Sequence, residues 1–130
     1  MQILHRISMN FIRNNSIRNN SIRNNSILYT TTGEWVVTNP KDKISFIGLT
    51  KDSIEQLSEI VYIDPIVNIG DKIKIDEELI ALESVKATAT INAVNNCEII
   101  DINYDLFDNL DNINNEPENT EKSWIVKTTT

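Results

Sequence analysis

The chain has 130 residues, enough for one small domain around a single core, and its 40% hydrophobic content is that of a globular protein. No apolar run approaches the roughly 20 residues of a membrane span, and the lone Cys97 excludes an internal disulfide. Residues 1–33 carry Arg6, Arg13, Arg18 and Arg23 and no acid, whereas residues 34–130 hold 8 Lys against 19 Asp and Glu, a net of −11 that excludes binding nucleic acid through its phosphates and favours basic protein partners.

Residues 12–26 contain a five-residue repeat: Ile12-Arg13-Asn14-Asn15-Ser16, Ile17-Arg18-Asn19-Asn20-Ser21 and Ile22-Arg23-Asn24-Asn25-Ser26. Its period is too short for a solenoid unit. Arg-rich, Ser-containing and acid-free composition is that of an organellar transit peptide, and Ile3, Leu4, Ile7 and Phe11 can share one helical face. The alternative is a low-complexity tail without an address. Residues 1–30 are therefore set apart from a folded domain over 31–130.

Short β-rich runs follow. Glu34–Thr38 alternates, a turn falls at Asn39-Pro40-Lys41-Asp42, and Ile44–Ile47 is the next strand. With only 3 Gly and 3 Pro in the chain, Asn and Asp must make many of the turns. Thr50 is placed to cap a helix over 51–59, with Asp52 in its first turn and Ile54, Leu57 and Val61 at helical spacing. Further strands are predicted at Ile60–Ile63, ended by Pro65, at Lys72–Ile75 after a Gly70-Asp71 turn, at Leu79–Leu82 after Asp76-Glu77, at Ala87–Ile91, at Glu98–Ile102 and at Trp124–Thr128, with a weak helical stretch over 105–110. Many short strands and tight turns imply a mostly β fold: an antiparallel sandwich or flattened barrel with one internal helix and a short late one.

The stretch richest in chemistry is Leu79 to Ile91. Two strand-like runs flank Glu83-Ser84-Val85-Lys86-Ala87 and place Lys86 at a hairpin tip. A lysine there is exposed on a rigid scaffold at the end of a flexible stem, which suits an amine that another enzyme must reach and acylate. Nothing else in the body competes. The only His is His5, Cys97 has no partner thiol, no nucleophile–base pair is evident and no metal-ligand set exists. Trp35 and Trp124 read as core residues, and Glu77-Glu78 as a solvent-facing turn.

Glu83-Ser84-Val85-Lys86-Ala87 resembles the lipoylation motif of glycine cleavage H proteins, and the flanks resemble that family in order. Gly33-Glu34-Trp35-Val36, Ile47-Gly48-Leu49-Thr50, Leu57-Ser58-Glu59-Ile60-Val61-Tyr62, Val67–Asp71, the segment Leu106, Asn109, Ile113-Asn114 and Pro117, and Ser123-Trp124-Ile125-Val126-Lys127 resemble its successive motifs across residues 33–128. The resemblance implies a lipoyl-domain-like hybrid fold and a carrier that catalyses nothing itself. It implies lipoate attached covalently to Lys86 as N6-lipoyllysine, with Glu83 aiding recognition by the lipoyl-attaching enzyme. It further implies service to glycine decarboxylase (P protein), aminomethyltransferase (T protein) and dihydrolipoyl dehydrogenase (L protein), in the mitochondrial matrix if the first 30 residues are an import signal. Rival readings are a lipoyl carrier for other complexes and a divergent interaction paralogue without the lipoyl group. In the turn after the hairpin, Val94-Asn95-Asn96-Cys97, Cys97 stands where the family has glycine; a positive φ there would strain a cysteine.

Overall fold

The computed structural model describes residues 26–129 together with Arg13–Asn14. The apolar face expected of residues 3–11 lies outside the described residues. Among the described residues ten strands build two antiparallel sheets. The larger has the order β1-β2-β3-β4-β10-β9-β6 and the smaller the order β5-β7-β8. These are β1 (Arg13–Asn14), β2 (Ser26–Tyr29), β3 (Glu34–Asn39), β4 (Ile44–Leu49), β5 (Ile60–Pro65), β6 (Lys72–Ile73), β7 (Glu78–Ser84), β8 (Thr88–Asn92), β9 (Cys97–Ile102) and β10 (Val126–Thr129). Three short helices accompany them, α1 (Lys51–Leu57), α2 (Tyr104–Asp108) and α3 (Leu110–Asn115).

The fold is the expected antiparallel sandwich, and it does not close into a barrel. The body reaches further back than residue 31: Ser26–Tyr29 pairs with Glu34–Asn39, and Tyr29 is buried. The strand was hidden because Ser26 ends the third polar repeat, leaving only Ile27-Leu28-Tyr29 as signal. The late helical stretch is two helices, because Asn109 leaves the helical region at φ −135° and splits them. β6 stops at Ile73 because side chains intercept the next two amides: Lys74 N–H donates to the Glu77 carboxylate and Ile75 N–H to the Asn96 side chain, both exposed.

The side-chain alternation of β3 puts Val36 and its two neighbours on opposite faces, and both faces are buried. Val36 joins the main core between the sheets, where Ile47, Leu79, Ile80, Leu82, Ile91, Ile99 and Ile125 are wholly excluded from solvent. Trp35 and Val37 join Tyr29 in a second cluster on the outer face, flanked by Ile27, Phe46 and Trp124. Trp35 lies over Gly48, its cross-strand partner, and its Nε1–H donates to the Pro117 carbonyl at 2.8 Å. The expectation of Trp35 as core is met, and the indole needs glycine beneath it. Trp124 is half-buried, edge-on to Phe46 at 5.5 Å.

Asn and Asp make the turns as expected. At residues 39–44, Asn39 Oδ1 accepts from Lys41 N–H and Asp42 Oδ1 from Ile44 N–H. Thr50 caps α1, its hydroxyl accepting from Ser53 N–H at 3.2 Å. The helix stops at Leu57, so Val61 is not on its face but exposed in β5. Ser58 ends it with φ +67° and ψ −162°, a region that essentially only glycine occupies without strain, while its N–H donates to the Ile54 carbonyl at 2.8 Å.

Two changes test this packing. Ser58→Gly is expected to stabilise the domain by about 1 kcal/mol and raise Tm by a few degrees in thermal unfolding, because it relieves that strain. Gly48→Ala is expected to lower Tm markedly, since a Cβ would overlap the Trp35 ring at Cε2 and Cζ2.

Candidate functional site

β7 and β8 form a hairpin whose ladder runs through the Glu83–Thr88 pair, with Ser84 N–H donating to the Ala87 carbonyl at 2.8 Å. Only Val85 and Lys86 remain as the loop. Two-residue hairpin loops favour turns that need positive φ, usually supplied by Gly, Asn or Asp. Neither Val85 nor Lys86 has positive φ. The buried hydroxyl of Ser84 takes over the work of the turn. It accepts from Lys86 N–H at 3.1 Å and Ala87 N–H at 3.0 Å, and donates to the Ala87 carbonyl at 3.1 Å. Ser84 and Ala87 point inward, while Val85 and Lys86 point out, Val85 being 64% exposed.

The tip is tied to the next segment. Val85 N–H donates to the Glu59 carbonyl at 3.1 Å. The Lys86 ammonium rests against the Gln56 carbonyl at 3.3 Å, near the C-terminal end of α1, whose last turn has no basic residue of its own. A cation is favoured there by the exposed carbonyls. Lys86 is nevertheless solvent-exposed, as the sequence predicts. Glu83, the second predicted site residue, lies on the outer face of the small sheet in one row with Tyr62 and Thr88. It is partly exposed, and Tyr62 beside it is 54% exposed. The structure thus brings Lys86 and Glu83 to one end of the hairpin. Exposed acids Glu55, Glu59 and Asp64 stand on the adjoining α1 and β5 segment.

Sequence reading missed Ser84 as a structural determinant, although a hydroxyl two residues before Lys86 is the signal of such a turn. It also passed over Glu34. That carboxylate is buried at 1% exposure; one oxygen accepts from the Thr30 and Thr32 hydroxyls, and the other has no hydrogen-bond partner among the described residues.

Cys97 starts β9 with negative φ, so the cysteine in place of the family's glycine carries no left-handed strain. Burial raises its thiol pKa; the nearby Thr128 hydroxyl opposes this and the charge of Glu77 adds to it.

A family model described as Glycine cleavage H-protein matches residues 27–130. A glycine cleavage system H protein of Thermotoga maritima is 35% identical over 99 residues, covering 76% of each chain. One of Rhodopirellula baltica is 35% identical over 101 residues, covering 76% of this chain and 74% of that one. The crystal structure of a glycine cleavage system H protein from Mycobacterium marinum superposes with a TM-score of 0.69 at 22% identity, covering 78% of this chain and 80% of the other, and so shares the fold.

Ser84→Ala leaves two amides without their acceptor. It is expected to cost about 1–3 kcal/mol in denaturant unfolding and to speed hydrogen exchange at Lys86 and Ala87. Because the thiolate is the reactive form, Cys97 is expected to alkylate with iodoacetamide more slowly than glutathione at neutral pH, the gap narrowing as pH rises.

Proposed function

The chain belongs to the glycine cleavage H-protein family, and from that membership we propose that Lys86 is where this lipoyl carrier bears its lipoyl group. The protein is a carrier component of the glycine cleavage system, bringing glycine's aminomethyl group to the components that act on it. The observation that carries the assignment of Lys86 is its place in the turn: an exposed amine on a backbone held by Ser84 and by the Glu59 carbonyl.

The residues present fit the group. Val85 and Lys86 are exposed, and among the described residues the ammonium has one hydrogen-bond contact, with the Gln56 carbonyl at 3.3 Å. Amide formation joins Nζ, after the ammonium has given up a proton, to the carbonyl carbon of a lipoyl group activated by the attaching enzyme; the bond from that carbon to the activating group breaks, that group leaves with the electron pair, and the nitrogen sheds its second proton and is left uncharged. The single ammonium–carbonyl contact is then weakened, which releases the side chain from α1. A lipoyl group on this nitrogen supplies the dithiolane that takes up the aminomethyl unit and changes redox state. The polypeptide supplies position and access: the turn fixes Cα of Lys86 while the four-carbon stem stays free to swing. Glu83 serves recognition, presenting a carboxylate beside Tyr62 on the face that an attaching enzyme meets. The acids nearby steer basic surfaces towards the tip.

The partners on this reading are glycine decarboxylase, aminomethyltransferase, dihydrolipoyl dehydrogenase and the lipoyl-attaching enzyme. The acid-free, Arg-bearing first 30 residues support import into the mitochondrial matrix. Microscopy of the full chain carrying a C-terminal tag tests the address, and retention of the tag in the cytosol would contradict it.

Peptide mass spectrometry of the protein from its native source is expected to find one lipoyl group, on Lys86. Lys86→Arg is expected to abolish both the modification and activity in a system reconstituted with P, T and L proteins. Activity with a 2-oxoacid dehydrogenase but not with these partners would favour another lipoyl complex. Glu83→Gln is expected to reduce the efficiency of attachment by about tenfold without changing Tm, as loss of a charge-assisted hydrogen bond would; an unchanged rate would remove Glu83 from the recognition role.

A further inference from the structure

We infer that Asn114 of α3 is a positioning residue for Lys86, acting through the backbone of Ile60 and Glu59. Among the described residues β5 is an edge strand of the small sheet, so one side of it presents backbone groups with no neighbouring strand. At Ile60 the Asn114 side chain fills that place. Its Oδ1 accepts from Ile60 N–H at 2.8 Å and its Nδ2–H donates to the Ile60 carbonyl at 3.1 Å. One amide side chain thereby imitates a paired strand residue.

The position matters because of what adjoins it. Ile60 stands opposite Ser84 in the β5–β7 register, and the register shifts between Ile60 and Tyr62. That bulge separates the Glu59–Ile60 corner from the regular ladder further along β5. On the other side lies the strained Ser58. Neither neighbour fixes the corner, yet the Glu59 carbonyl must be in place to accept Val85 N–H at 3.1 Å. Asn114 is itself firmly held: its neighbour Ile113 is fully buried, and the Ser123 hydroxyl donates to the Asn112 carbonyl at 3.0 Å. Position is therefore passed from α3 through Ile60 and Glu59 to Val85, and from Val85 to the adjacent Lys86.

The importance of this clamp for attachment rests on Lys86 being the lipoylated residue; the clamp itself does not. The test uses the full chain as wild type, Asn114→Ala and Asn114→Asp. Amide hydrogen exchange is measured residue by residue, and lipoyl transfer to Lys86 is followed at varied concentrations of the chain. In Asn114→Ala, exchange at Ile60 and Val85 is expected to rise about tenfold, as for loss of hydrogen bonds of ordinary strength, while Ile99 and Val126 keep their protection. KM for the chain as acceptor is expected to rise several-fold with kcat little changed, since a loosened tip must be ordered on binding. Asn114→Asp keeps the acceptor for Ile60 N–H and loses the donor; it is expected to fall between the other two and serves as the measured variant if alanine prevents folding. Equal acceleration at Ile99 and Val126, unchanged exchange at Val85, or faster exchange with an unaltered KM would overturn the proposal. A wild-type chain with a protected Val85 amide that takes no lipoyl group would instead sink the assignment of Lys86 and leave the clamp standing.

Discussion

A chain reversal of two residues, without glycine and without positive φ, is held by one buried hydroxyl. Ser84 satisfies the two amides that such a turn would leave bare and returns its proton to the Ala87 carbonyl. The rest of the site depends on that arrangement, because it lets Val85 and Lys86 project while Ser84 and Ala87 stay inside. With glycine in the loop the same reversal would be easier to make and less rigid, since glycine has more conformational freedom to lose. A carrier residue profits from the opposite distribution: a stiff backbone and a loose side chain.

The fold supplies the platform for this tip. Leu82 and Ile80 of β7 and Ile91 of β8 anchor the hairpin in the main core, so the strands beneath the turn cannot shift without opening that core. α1 and the link from it to β5 flank the turn and give it a carbonyl at Gln56 and another at Glu59. The outer cluster around Trp35 plays a separate part. It fastens β3 and β4 to the segment around Pro117, which follows directly on α3.

Much of this was legible in the residues. Period-two alternation found β3, and the Thr50 cap and Asp52 found α1, because these signals are local. The exposed place of Lys86 followed from two strands separated by too few residues for anything but a turn. What failed was non-local or depended on competition for hydrogen bonds. Nothing in Lys72–Ile75 shows that Glu77 and Asn96 will take the amides that a longer strand needs. The one-residue bulge that leaves Val61 exposed depends on pairing with β7, and the split between α2 and α3 on the backbone at Asn109. Ser58 in a glycine-like conformation gives no signal in the residues around it, and its strain is visible only in the backbone angles. Cys97 is the reverse case: the substitution is conspicuous in sequence and costs nothing in backbone geometry.

Backbone ¹⁵N relaxation of the unmodified chain measures the contrast between stiff turn and free side chain most directly. Order parameters near the rigid-backbone value of about 0.85 at Val85, Lys86 and Ala87 are what the hydroxyl-held turn predicts. Values below about 0.6 at those three residues, with the neighbouring strands ordered, would mean that the tip is a flexible loop and would contradict it.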